Sequence, residues 1–402
     1  MSARAYVATS AALAFAGLLL IAALGFAVDA YGVFGTRLIP ASRFPPNMRL
    51  LKHWDRVTKA IEIAERQGDQ VLIVGDSRSQ HGLDPDAPAL AGVKGYNAAL
   101  AAATLAEQMA VLDYALKHEP TIKHIVWGQS FESFPFEIFP PTDYRESAFA
   151  GRGIFPGLLR HLFDADRVLS SFKALWQARH AVRAPMKRNG VVTYGGDPVE
   201  GPGIARQFES ELAGKIRELS GPLSQEAIDK AHGELAQRLR ELKAAGIDVD
   251  IVIVPMHIWR LEFLRRIGDE AQSDAWKRQF AATLEGLAGA PGTGKLRLFD
   301  FARPHALVEQ SPLDPLPPGE RRYYLETNHF YPWFGDKVLA RVFGKGEDGE
   351  GAAASELFGQ EIGQGANSIS IDSDIATARA ALDRWESTHE DEVGHIRKLI
   401  SR

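Results

Sequence analysis

The chain has 402 residues, a formal net charge of −5 and no cysteine. That length buries one large α/β domain with an inserted helical layer and calls for no second catalytic domain, while the acidic balance and the lack of a long basic run argue against a nucleic-acid partner. Disulfide and thiolate chemistry are excluded, but the compartment stays open, because exported proteins also lack disulfides.

Residues 5–28 carry no charge, and Ala11 to Ala27 is almost wholly apolar, long enough to cross a bilayer as a helix. Arg4 precedes the run and Asp29 follows it, which by the positive-inside tendency leaves the short N-terminus in the cytoplasm and the remainder outside. The competing reading is a cleaved signal peptide with Gly25 and Ala27 near the cut; the run is longer than an ordinary signal-peptide core, which favours an uncleaved anchor. Tyr31 to Asn47, with several Gly and Pro, reads as a linker close to the membrane. Leu50 to Gln67 has the apolar period of a helix ending at Gly68.

Val71-Leu72-Ile73-Val74 is a buried strand that runs into Gly75-Asp76-Ser77-Arg78-Ser79. Ligands of open α/β sheets bind at the carboxyl ends of strands, so Ser77 stands at the mouth of a site, with Asp76 and Arg78 as neighbours that line it. Gly-Asp-Ser is equally a plain turn. His81 to Asp86 is a polar loop with no second His-rich segment to make a metal site. Gly95 to Leu100 is a strand end leading into a helix from Thr104 to Lys117, stopped by Pro120. Ile122 to Gly128 is a second buried strand, followed by Gln129 and Ser130.

From Phe134 to Pro222 the pattern weakens and reads as an insertion with short helices, Leu158 to Val182 being the clearest. Its Arg160, Arg167, Arg179, Arg183, Lys187 and Arg188 make a solvated helix face, or else a surface for an anionic polymer or lipid headgroups. Ser224 to Ala245 is a helix capped by Gly246, and Val249 to Val254 is the third strand, an order that fits a parallel sheet. His257, just past it, lines the site, serves as an alternative base, or is a partly buried loop residue. Leu296 to Phe299 is the fourth strand, with Asp300 at its end as an alternative orienting acid.

Near the end of the folded part, Glu326-Thr327-Asn328-His329 sets a carboxylate three residues before a histidine, so one loop carries an acid that fixes the imidazole tautomer. Gly335 to Phe343 closes the domain as a helix; Gly344 to Gly351 is a flexible acidic linker, and Ile375 to Ile400 has the period of a C-terminal helix. The implied organisation is an anchor over 1–30, a linker and leading helix over 31–69, an α/β domain over 70–343 with an insertion at 134–222, and a tail over 344–402. No internal repeat, phosphate-binding loop or metal-ligand spacing is present, and no cofactor is implied.

A strand leading to Gly-Asp-Ser early and an acid-x-x-His late resemble the SGNH, or GDSL-type, hydrolase family, over blocks from Gln70 to Phe343. The resemblance implies a three-layer α/β/α domain with a mostly parallel sheet. It implies Ser77 as nucleophile, His329 as base and Glu326 as orienting acid, one methylene longer than the family's Asp. It also implies an oxyanion hole of the Ser77 N–H with Asn97, an Asn that equally reads as a helix cap. The family's Gly-x-Asn-Asp block is missing, and only Gln129 or Ser130 substitutes for its Asn by position. That departure is similar to the membrane-anchored relatives associated with polysaccharide O-acetylation and teichoic-acid D-alanylation. The expected function is a membrane-anchored acyl esterase or O-acyltransferase with a cell-envelope glycan as substrate or acceptor. The alternatives are an accessory protein binding glycan or a membrane-bound acyltransferase and, more weakly, a structural envelope protein.

Overall fold

A computed structural model describes residues 2–28, 55–131, 186–193, 202–218, 224–345, 358–363 and 368–401, with short pieces at 134, 144–145, 147–151, 162–163, 169 and 172. The expected linker at Tyr31 to Asn47, the clearest helix of the insertion apart from those pieces, and the acidic run from Gly346 lie outside the described residues.

The chain forms two compact units, one of residues 1–66, 139–187 and 192–196, the other of 67–138, 188–191 and 197–402. The first holds α1 (Ala3–Val28) and α2 (Asp55–Glu65). In α1, Leu18, Leu19 and Leu20 are 51%, 54% and 72% exposed. A core helix would bury them, so α1 is an apolar helix of the kind that anchors a chain in a membrane or serves as a signal sequence.

The second unit is a three-layer α/β/α fold around six strands: β1 (Val71–Val74), β2 (Gly95–Asn97), β3 (His124–Gln129), β4 (Asp248–Ile253), β5 (Leu296–Asp300) and β6 (Gln360–Ile362). The order is β2-β1-β3-β4-β5-β6; the first five are parallel, and β6 runs antiparallel to β5. Every residue of β1 is buried, which is why it reads as a continuous apolar run and not an alternating one. The helices are α3 (Ser77–Gly82), α4 (Leu105–His118), α5 (Pro202–Glu218), α6 (Gln225–Ala244), α7 (Ile258–Ile267), α8 (Glu270–Gly286), α9 (Pro332–Val342), α10 (Ile371–Thr388) and α11 (Glu390–Ile400).

Local chemistry sets several boundaries. Thr104 caps α4 in a capping box with Glu107, and Ser224 caps α6. Pro332 starts α9 three residues earlier than the apolar period indicates, since its fixed φ suits the first helical turn. The tail holds two helices and not one: at His389, φ −128° and ψ 50° lie outside helical geometry and divide α10 from α11. The Gly-Asp-Ser segment is also more than a turn, because Ser77 begins a helix that takes in His81 and Gly82.

A candidate active site at the carboxyl end of the first strand

The end of β1 is built for close approach. Gly75 has φ +153°, and a Cβ there would lie 2.4 Å from Ser79 Oγ; one on Gly128 of β3 would lie 1.9 Å from the same atom. Two glycines thus let α3 start directly on the strand ends. Asp76 caps α3: its carboxylate accepts from the Arg78 N–H (2.9 Å) and the Ser130 hydroxyl (2.7 Å), with the Arg78 guanidinium 3.7 Å away. Asp76 and Ser130, both buried, therefore hold the bend in place.

Glu326 to His329 forms the tip of a short hairpin. Tyr324 and Phe330 pair across it, and the Leu325 N–H donates to the His329 carbonyl (2.8 Å). Phe330, fully buried against Tyr324 and Phe334, anchors the base of the hairpin in the core. At the tip, the Glu326 carboxylate accepts from the backbone N–H of Asn328 (2.8 Å) and of His329 (3.0 Å), and from His329 Nδ1. That last contact puts the imidazole proton on Nδ1 and leaves Nε2 an acceptor. Ser77 Oγ stands 2.7 Å from Nε2, so serine, histidine and carboxylate form one continuous chain. Burial pushes the Glu326 carboxyl upward, but the adjacent His329 and the donors around it outweigh burial and hold its pKa below the usual value.

The remaining expected residues lie elsewhere, and four assignments need correction. Asn97 is fully buried; its Nδ2 donates to the carbonyls of Ser79 (2.8 Å) and Leu83 (2.7 Å), and its Oδ1 accepts from the Ala99 N–H (3.0 Å). Both amide protons are committed to backbone carbonyls, so Asn97 is neither an oxyanion donor nor the cap of α4, which is Thr104. Gln129 Nε2 donates to Gln108 Oε1 (2.8 Å), inside the core beside Trp127.

His257 caps α7. Its Nδ1 accepts from the Trp259 N–H (3.2 Å), its Nε2 donates to the Gln310 carbonyl (2.9 Å), and burial, with Arg322 adding to it, pushes its pKa down to about 3. It has no free nitrogen to act as base. Its backbone N–H instead supports the hairpin by donating to the Thr327 carbonyl (3.1 Å). Asp300 is fully buried, 2.5 Å from Lys277 Nζ and accepting from the Ala302 N–H (2.8 Å), so it orients no imidazole.

Arg78 is expected from the sequence to line the site, whereas His81 and Glu211 carry no clear motif for it. Arg78 turns inward and donates to Asn328 Oδ1 (2.7 Å), joining the helix that begins at Ser77 to the hairpin. His81 meets the His329 ring edge-on, with centroids 5.5 Å apart. Glu211 reaches the hairpin from α5. Its one trace in the sequence is a carboxylate on the face that carries Ile204, Phe208 and Leu212, all buried. Ala102, in the turn after β2, is the one non-glycine with positive φ (51°) among the described residues. Among the same residues no group of three or more His, Asp or Glu is arranged to hold a metal.

No protein-family profile matches the chain, and no curated protein matches it. Among solved structures, one described provisionally as a platelet activating factor from Streptococcus pneumonia is similar at 10% sequence identity, covering 73% of this chain and 92% of that one with a TM-score of 0.35.

Proposed function

We propose that this chain is an SGNH-like serine acyl esterase or O-acyltransferase, held at a membrane by α1, with its α/β domain over about residues 70–343 on the periplasmic or exterior side. The observation that carries the reading is the 2.7 Å contact of Ser77 Oγ with His329 Nε2, backed by Glu326 on the other ring nitrogen. A serine hydroxyl gains nucleophilicity when a base of fixed tautomer takes its proton as it attacks.

Ser77 Oγ adds to the acyl carbonyl while its proton passes to Nε2. Glu326 stabilises the imidazolium. The Ser77 N–H, in the first turn of α3 where no intrahelical acceptor exists, faces the developing oxyanion. Collapse of the tetrahedral adduct breaks the ester bond, and His329 returns the proton to the departing alkoxide. In the second half, water or a sugar hydroxyl gives its proton to His329 as it attacks the acyl-serine. Collapse of that adduct breaks the acyl–Oγ bond, His329 returns the proton to Ser77 Oγ, and the acid or the new ester is released.

The apolar helix, at about 1.5 Å per residue, exceeds the roughly 30 Å hydrocarbon core. Together with the missing Gly-x-Asn-Asp block, it favours the envelope-modifying relatives, a cell-envelope glycan as substrate or acceptor, and a membrane-bound acyltransferase as a partner. One observation favours a second reading, a non-catalytic accessory protein that binds glycan or such a partner: both side-chain amides expected near the oxyanion, Asn97 and Gln129, are engaged elsewhere. A serine-directed fluorophosphonate applied to the full chain in detergent separates the two. Labelling that is lost in Ser77→Ala and falls in His329→Ala supports the esterase. A folded wild-type chain that takes no label leaves the binding protein.

A further inference from the structure

Glu211 is a buried-face carboxyl that no step above uses. It lies on α5 between the buried Phe208 and Leu212, where a carboxyl is costly unless it is neutral or well partnered. Its partners are specific. Oε1 accepts from Asn328 Nδ2 (3.1 Å), Oε2 is bonded to the Thr327 hydroxyl, and Arg260 Nη1 lies 3.4 and 3.5 Å from the two oxygens. Thr327 and Asn328 are the two residues between the acid and the base of the site. The Asn328 amide is read from both ends: its oxygen accepts from Arg78 Nη2 (2.7 Å), next to Ser77, and its nitrogen donates to Glu211. A guanidinium only donates, so the amide has one workable orientation, and it needs an acceptor where Glu211 stands.

We infer that Glu211 is a positioning residue that fixes the Thr327–Asn328 segment and, through Asn328 and Arg78, locks the hairpin bearing Glu326 and His329 to the helix bearing Ser77. The inference rests on the catalytic reading proposed above and deepens it. Burial first, then the Glu326 charge, raise the Glu211 carboxyl to about 7, against the pull of Thr327, Lys215 and Arg78. A carboxyl that keeps its proton near neutrality avoids setting a second anion against Glu326, the acid that must stay ionised to hold the imidazole. Arg260 of α7 also flanks the Glu211 carboxyl, and His257, which caps α7 and is kept uncharged by burial, holds the Thr327 carbonyl through its backbone N–H.

The test uses the full chain in detergent, with the fluorophosphonate at graded concentration and hydrogen exchange followed in the peptide spanning 326–329. Glu211→Ala is expected to lower the saturating labelling rate about tenfold with the half-saturating probe concentration unchanged, as for a misplaced base and not a lost binding contact. Glu211→Gln, which keeps an acceptor for Asn328 and carries no charge, is expected to label within about threefold of wild type. Exchange over 326–329 rises in the Ala variant and not in the Gln variant. Equal labelling rates in Glu211→Ala and wild type, or Gln as impaired as Ala, would overturn the inference while the esterase reading stands. Should wild type take no label, the esterase reading falls, and unchanged exchange in Glu211→Ala would separately overturn the positioning role. If Glu211→Ala does not fold, Asn328→Ala cuts the same chain from its other end and must give the same loss of rate without loss of probe affinity.

Discussion

The contact between Gly82 of α3 and Gly335 of α9 bears on the spacing of Ser77 and His329, the proposed nucleophile and base, because α3 begins at Ser77 and α9 begins three residues after His329. A Cβ on Gly335 would lie 1.8 Å from the Gly82 carbonyl oxygen, where ordinary contact starts at 3.4 Å. Relieving that overlap in Gly335→Ala takes a separation of about 1.5 Å, and a backbone carbonyl at a helix end cannot supply it by rotamer change. Shared even partly with the active site, such a shift carries the 2.7 Å contact of Ser77 Oγ with His329 Nε2 beyond hydrogen-bond range. The expected result is a fall of about 10²-fold in fluorophosphonate labelling rate, since misplacement by about 1 Å costs that much, with stability lowered by about 1–3 kcal/mol. Both are read on one preparation, by labelling kinetics and a urea melt. Labelling within twofold of wild type in a folded Gly335→Ala chain would refute the idea that this contact sets the catalytic distance.

Glu326→Gln keeps the size of the acid but removes its charge and places an amide among three donors, so labelling is expected to fall about 10²–10⁴-fold; a fall below threefold would deny Glu326 its role. His232 is buried between Phe134 and Phe280 with neither ring nitrogen bonded among the described residues, and burial lowers its pKa to about 4. Its folded value lies below the unfolded 6.5, so this contribution to stability is complete above pH 6.5 and is lost as pH falls from 6.5 towards 4. His232→Phe is therefore expected to gain about 1–2 kcal/mol at pH 7 by removing unpaired polar atoms, and about 2 kcal/mol more at pH 5 by removing the titration. Urea melts giving the same gain at both pH values would sink this account. In Gly128→Ala the new methyl meets Ser79 Oγ, an atom with no hydrogen-bond partner among the described residues, so Ser79→Ala is expected to restore most of a loss of about 1–3 kcal/mol; additive losses in the double variant would show that backbone and not the hydroxyl takes the strain.

The main elements of the α/β unit were legible because their causes are local. Val71 to Val74 is β-branched and apolar without interruption, and the face from Ile228 to Leu242 repeats at helical spacing. The pairing of Glu326 with His329 was legible for the same reason, since three residues span it. The break at His389 was not: the apolar period continues across it, and a change in two dihedral angles leaves no mark on that period.

The sequence by itself determined which residues carry chemistry-bearing groups, that Ser77 follows a buried strand, and that an apolar helix leads the chain. Only the tertiary structure decided which of those groups meet. Asn97, Gln129, His257 and Asp300 all stand at or just past strand ends, as the pattern indicates, yet each is tied by its own hydrogen bonds into a buried network away from Ser77 and His329. Glu211, from a segment without a recognisable pattern, reaches the site from more than 100 residues away. Buried polar groups must find partners wherever the fold brings donors and acceptors within about 3 Å. Spacing along the chain governs that choice only across a turn or two; beyond it, the packing of helices on the sheet decides.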